Sequence, residues 1–277
     1  ARLIGQRLQA TLNQPFVIDN RAGAAGVIGE EIVSKAVPDG YNLLYSVGSD
    51  MSLRLFLSKN TPLDPLKDFT PIAATVRSVS LVAVGPTLAG KDLKEVIDLA
   101  KKSPDKYTYS SAGVASFQHL TGELLRQHGV ALVHVPFKGL AGALTATVSG
   151  EVDIAITNFA TAMPQIASGK LRALGVLEDK RYEGRPDVPT LNEALPGFAT
   201  PPAWFGFFGP PGLPQPIVLR LNAEIASAVQ SPEVAPKLRE AFLRPVLVPA
   251  DRMPAFVNGT TEAFGKIIKS AGIKPLE

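Results

Sequence analysis

Four stretches of this chain share one pattern, in which an apolar run gives way to glycine or small hydroxyl residues that open into an amphipathic segment. They are "RAGAAG" (Arg21 to Gly26), "SVGSDMS" (Ser46 to Ser52), "YSSAGVAS" (Tyr109 to Ser116) and "PFKGLAG" (Pro136 to Gly142). A strand that turns through small residues into a helix is a βα unit, and chains built from such units fold as helices packed on sheets. The expected class is therefore α/β. Ligands in open α/β sheets gather at the carboxyl ends of strands, so the same junctions are the first place to look for a site.

At 277 residues the chain has room for two lobes, each with its own core. Apolar residues at Leu3, Ile4, Leu8 and Leu12 give one helical face from the first residue onward, so the reading expects further chain upstream. "PFVIDN" reads as a short strand, and Asn42 to Val47 as another. Helices are expected over Asp92 to Lys102, stopped by Pro104, and from Ser116 to His128, followed by strands at "ALVHVPF", "DIAITNF" and "LRALGVL". "AWFGFFG" ends in a Pro-Gly turn, and amphipathic helices dominate from Ile217 onward.

Charge and composition exclude several classes. The net charge of +3 is dispersed, with no basic stripe to release counterions from nucleic acid. Without cysteine there is no disulfide, thiolate nucleophile or thiolate-bound zinc. No apolar run approaches the roughly 18 residues of a membrane span. The histidines show no metal-ligand spacing, and "GAAGVIG" is a poor match to the dinucleotide fingerprint, so neither metal nor cofactor is expected.

"YSSAGVASFQHLTGELL" poses the functional question. Ser116 and His119 stand one helical turn apart, where a nucleophile could meet its base. Yet the segment lacks the G-x-S-x-G elbow, and nothing nearby supplies an oxyanion donor or a third group to orient the base. A helix start with unpaired N–H groups suits a carboxylate or phosphate; equally, Ser116 serves as a plain N-cap. Lys138 offers a cation and Asn158 a donor and an acceptor, or each satisfies a loop. Trp204 and Phe205 fit either a pocket wall or the core.

Taken in order, "DNRAGAAGVIGEEIVSKAVPDGYNLL", "PLDPLKDFTPIA", "YSSAGVASFQHLTGELL", "VHVPFKGLAGALTATVSGEVDIAITN", "ASGKLRALGV" and "RPDVPTLNEALPGF" resemble the solute receptors of tripartite tricarboxylate transporters, the Bug group of periplasmic binding proteins. The resemblance spans nearly the whole chain. It implies a two-lobed Venus-flytrap fold, each lobe a mixed or parallel sheet flanked by helices, that captures a small organic carboxylate between its lobes. It also implies a monomer without catalysis, located in the periplasm and partnered by membrane permease subunits. A domain that reports the ligand to a sensor is the alternative. Lobe 1 is expected to comprise 1–104 plus 212–277, and lobe 2 105–211.

Matching by position, the resemblance assigns ligand binding to Ser46, Gly48 and Ser49 in the first lobe, and to Ser111, Ala112, Gly113, Ser116, Lys138, Gly139 and Asn158 in the second. His119 matches the family's histidine and is read as a brace for the helix. Two departures stand out. Family members begin with a strand and a Gly-rich loop ending in Asp, whereas this sequence starts inside a helix. Many carry Asp where this chain has Asn158, which is expected to favour plain carboxylates over amino acids.

Overall fold

The computed structural model describes residues 1–21, 23–59 and 63–275; Ala22, within the first glycine-rich junction, lies outside the described residues. Helix α1 (Arg2–Leu12) leads through an extended stretch and a 3-10 turn (Ala24–Gly26) to α2 (Val27–Ser34), β1 (Leu44–Val47) and α3 (Gly48–Leu57). Strand β2 (Thr70–Ser78) runs almost directly into β3 (Ser80–Val84), followed by α4 (Leu93–Lys102), β4 (Thr108–Ser111) and α5 (Phe117–Gln127). Next come β5 (Val133–Pro136), α6 (Leu140–Ser149), β6 (Ile154–Asn158), α7 (Phe159–Ala167), β7 (Arg172–Val176) and the short α8 (Leu191–Ala194). Strand β8 (Trp204–Gly209), α9 (Gln215–Gln230), α10 (Ala235–Glu240), β9 (Leu243–Pro245) and α11 (Met253–Ser270) follow. No helix among the described residues is long and apolar enough to cross a membrane.

Two sheets organise these elements. The first has the order β1-β8-β2-β9, with every pairing antiparallel. The second, β5-β4-β6-β3-β7, is mixed: β4 is parallel to β5 and β6, while β3 is antiparallel to β6 and β7. The expected α/β architecture of two helix-flanked sheets is the one observed.

The chain passes from one sheet to the other at Val79, between β2 and β3, and returns at Ala203, whose carbonyl accepts the Ser78 N–H at 3.1 Å. The lobe limits expected at 104 and 211 do not follow sheet membership: β3 and α4 belong to the five-stranded lobe, and β8 to the four-stranded one. Strand pairing is non-local, and no signal within β3 or β8 names its partner.

Three cores flank these sheets, and a fourth joins the lobes. On one face of the first sheet, Ile4 and Leu8 of α1 meet Ile72 and Phe207 with Val218 and Ile225 of α9. Met51, Trp204, Phe208 and Val257 fill the other face. In the second lobe, Leu81 and Ala155 pack against Phe159 and Ala162 of α7. The largest cluster gathers Ile154, Leu174, Leu120 and Leu93 from that lobe together with Leu53 and Leu57 of α3 and Phe264 and Ile268 of α11. One continuous core therefore runs behind both lobes.

One expected strand is missing. Phe16 to Asn20 joins neither sheet, and a groove of about 1070 Å³ is lined by it and by Leu44, Tyr45 and Ser46 of β1. A strand forms only against a neighbour, and here the short apolar run of "PFVIDN" meets none, leaving Val17 exposed.

Candidate functional site

Two helices begin face to face where the lobes meet. Helix α3 opens at Gly48 directly after β1, and glycine is required there: a Cβ would stand 2.2 Å from the Trp204 ring. Ser49 is fully buried with no partner for its hydroxyl, and the Trp204 Nε1 is likewise buried and unpaired. Across the boundary, α5 opens after a loop in which Gly113 has φ +141° and Ala115 +57°. Phe117, its first residue, donates its backbone N–H to Asp50 Oδ1 of α3 at 3.2 Å. Gln118, next in sequence, has a buried Oε1 without a partner, and so does the Thr157 hydroxyl on β6. Buried polar atoms are normally satisfied, so the orphans on Ser49 and Gln118 in the first turns of α3 and α5, with Trp204 against Gly48, are candidates for polar contacts from outside the chain.

The hydroxyls that drew attention in the sequence are already engaged. Ser116 accepts from the His119 N–H at 3.3 Å and donates to the Gly113 carbonyl at 2.7 Å, the N-cap arrangement. Ser111 shares a 2.6 Å hydrogen bond with His134 Nε2 and accepts from the Gly113 N–H. The imidazole of His119 faces away from Ser116: its Nδ1 accepts from the Ala115 N–H at 3.1 Å, and its ring stacks on His134 at 3.9 Å. This geometry makes His119 a brace for the loop before α5; the hydroxyl in contact with an imidazole here is Ser111, on His134, and not Ser116 on His119.

Both imidazoles are held neutral. Burial, with His134 adjacent, pulls His119 down to about 3, and burial pulls His134 down to about 4. In the unfolded chain they protonate near 6.5. As pH falls from about 6.5 toward 4, the unfolded state binds protons that the folded state refuses, and stability drops. His119→Asn, which keeps an acceptor for the Ala115 N–H, is expected to flatten that drop, as read by urea midpoints at pH 7 and pH 4.5. A slope equal to wild type would assign the acid sensitivity to other groups.

A buried charge cluster backs the first wall. Arg54 of α3 donates through Nη2 to both carboxylate oxygens of Glu30 on α2, which also accepts from Ser46 Oγ at 3.2 Å. Through Nη1 the same guanidinium holds the Ala25 carbonyl at 2.9 Å. Ala24 and Ala25 sit at φ +45° and +51°, a left-handed turn that L-residues resist by roughly 1 kcal/mol each. Arg54 thus anchors a strained loop. Asp50 completes the cluster; burial raises its pKa to about 6 against the opposing pull of Arg54 and the Phe117 N–H.

Between the walls lies a cleft of about 590 Å³, with Ala24, Ala25 and Arg54 on one side and Gly113, Ala115, Phe137 and Lys138 on the other. Of the residues expected to bind ligand, Gly113 and Lys138 line this cleft. Ser49 and Gly48 stand at the α3 start, and Ser46 supports Glu30. Ala112, partly exposed, belongs to the loop before α5. Gly139 caps α6 at φ +122°. Asn158 spends its Oδ1 on α7, accepting from the N–H and hydroxyl of Thr161. Glu30, Asp50, Arg54, Gln118 and Thr157 went unnoticed in the sequence; the one available signal was Arg54, a lone cation within the apolar "MSLRLFL".

Two sheet lobes linked by two chain crossings, with a cleft lined from both sides, are the architecture of two-lobed solute-binding proteins. Residues 1–273 match the family model described as the tripartite tricarboxylate transporter family receptor. BugT of Bordetella pertussis (strain Tohama I) is 33% identical over 99% of this chain and 85% of its own length. Among solved structures, that of R. palustris Rpa4515 with adipate has a TM-score of 0.94 at 32% identity, covering 99% of this chain and 92% of that one. MatC from Rhodopseudomonas palustris with bound malate gives 0.88 at 30% identity, covering 98% and 92%. The chain belongs to the tripartite tricarboxylate transporter receptor family of periplasmic solute-binding proteins.

Proposed function

We propose that this protein captures a small organic carboxylate, a dicarboxylate of the size of malate or adipate, between its lobes in the periplasm, and delivers it as a monomer to the membrane subunits of a tripartite transporter without chemical change. The observation that carries this reading is the pair of facing helix starts at the lobe boundary, where Ser49 Oγ and Gln118 Oε1 are buried without partners. Oriented N–H groups at helix N-termini suit a carboxylate, and Lys138 adds positive charge at the cleft. Ser49, Gly113 and Lys138 are the expected contacts retained in this reading; Gln118, Thr157 and Trp204 join them. Relatives solved with adipate and with malate support the ligand class.

Calorimetric titration with adipate and with malate tests it, alongside thermal melts. A ligand at 100 times its Kd adds about 2.7 kcal/mol of stability, a shift easily seen in Tm. No heat and no shift across a panel of aliphatic mono- and dicarboxylates would overturn the reading.

A further inference from the structure

We propose that Asp50 is a proton-linked positioning residue, which ties the start of α5 to α3 while ionised and takes up a proton when a carboxylate enters the cleft, so that capture tightens as pH falls. The inference rests on the carboxylate-receptor reading above and adds to it a second species, the proton, that binds with the ligand.

The geometry carries the argument. Asp50 is 8% exposed, and its Oδ1 accepts from the first N–H of a helix in the other lobe. That N–H belongs to the set that a ligand anion at the α5 start would draw upon, so Asp50 is an internal anion placed beside the external one. Arg54, one turn further along α3, already gives its Nη2 to both oxygens of Glu30 and its Nη1 to Ala25. Two buried carboxylates thus share one cation, and the cluster carries an excess negative charge at neutral pH.

The other neighbours do not cancel it. On α5, His119 is neutral with its Nδ1 engaged as an acceptor, and His134 of β5 behind it is neutral too. Glu262, Lys266 and Lys269 of α11, the helix packed along α3, are exposed. Strand β8 presents Trp204, and Lys138 is an exposed residue of the opposite cleft wall.

Burial already raises Asp50 to about 6, and Glu30 pushes the same way. A further unit charge within about 8 Å, at an effective dielectric near 20, raises such an acid by more than one pKa unit. A ligand that engages Arg54 also takes away part of the compensation Asp50 has. Both effects draw a proton onto Asp50. Linkage then sets the limit: one proton taken up per ligand gives at most a tenfold gain in affinity per pH unit.

Asp50→Asn tests the idea, because asparagine keeps an Oδ1 acceptor for Phe117 and cannot titrate. Adipate is titrated into both forms between pH 8 and 6.5, above the range of its own carboxyls, in buffers of different ionisation enthalpy. Wild type is expected to bind more tightly with falling pH, up to tenfold per unit, with net proton uptake; the variant is expected to show a flat profile and no uptake. Without ligand, an acid whose folded pKa lies above its unfolded value burdens the fold above about pH 6 and ceases to do so below about pH 4. The variant should accordingly melt above wild type at pH 7.5, with the gap closing toward pH 4. Adipate binding with the same pH profile in both forms overturns the inference and leaves the receptor reading standing. Failure of both forms to bind adipate overturns the inference and counts against that reading as well.

Discussion

Replacing Arg54 by methionine is expected to destabilise the fold by about 3–5 kcal/mol, the usual range for removing one partner of a buried ion pair. Arg54 is 5% exposed and Glu30 1%, so water cannot take over the role of the lost guanidinium. Glu30 would be left with Ser46 Oγ as its donor, and Asp50 would lose the cation that moderates its burial. The variant also releases the Ala25 carbonyl, freeing the left-handed turn that forms one wall of the cleft. Adding Glu30→Gln to Arg54→Met should recover part of the loss, since it removes the stranded charge. Urea denaturation of the two variants at pH 7.5 measures both quantities, and a single-variant loss below about 1 kcal/mol would show that the pair is a solvated one.

Gly113→Val is expected to lower adipate affinity at least 100-fold, which corresponds to about 2.8 kcal/mol. Gly113 has φ +141°, and a Cβ there would lie 3.4 Å from the Phe137 carbonyl oxygen and 3.5 Å from the Ala25 Cβ of the other lobe. Two further methyl groups would stand between the walls and hold them apart. Gly139→Ala separates this obstruction from backbone strain: Gly139 also has a positive φ, +122°, but no atom lies within 4 Å of its added Cβ. Gly139→Ala should therefore leave affinity within a few-fold of wild type. Equal binding by Gly113→Val and wild type would remove the cleft from consideration as the ligand site.

The βα junctions were legible because each is local: glycine, hydroxyl and apolar period lie within a dozen residues, and the helix starts at Gly48 and Phe117 fall where those signals put them. Ser116 as an N-cap was legible for the same reason. What escaped depends on distance along the chain. Asp50 meets Phe117 across 67 positions and Arg54 meets Glu30 across 24, and neither pairing leaves a periodic trace. "PFVIDN" carried the short apolar run of a buried strand without the partner that makes one, so local composition alone misled. Asn158 looked like a ligand group because it ends a strand; that its carboxamide oxygen also caps the helix beginning one residue later was not foreseen.

The core that runs behind both lobes has an evolutionary consequence. Leu53, Leu57, Phe264 and Ile268 are lent by elements of the first lobe to a cluster centred on the second. A lobe exchanged for that of a distant relative would bring half a core to the junction, with mismatched volumes on either side. On the proposed reading, a change of ligand preference would come from the lining of the cleft, at positions such as Gly113 and Lys138, with the two lobes kept as a matched pair.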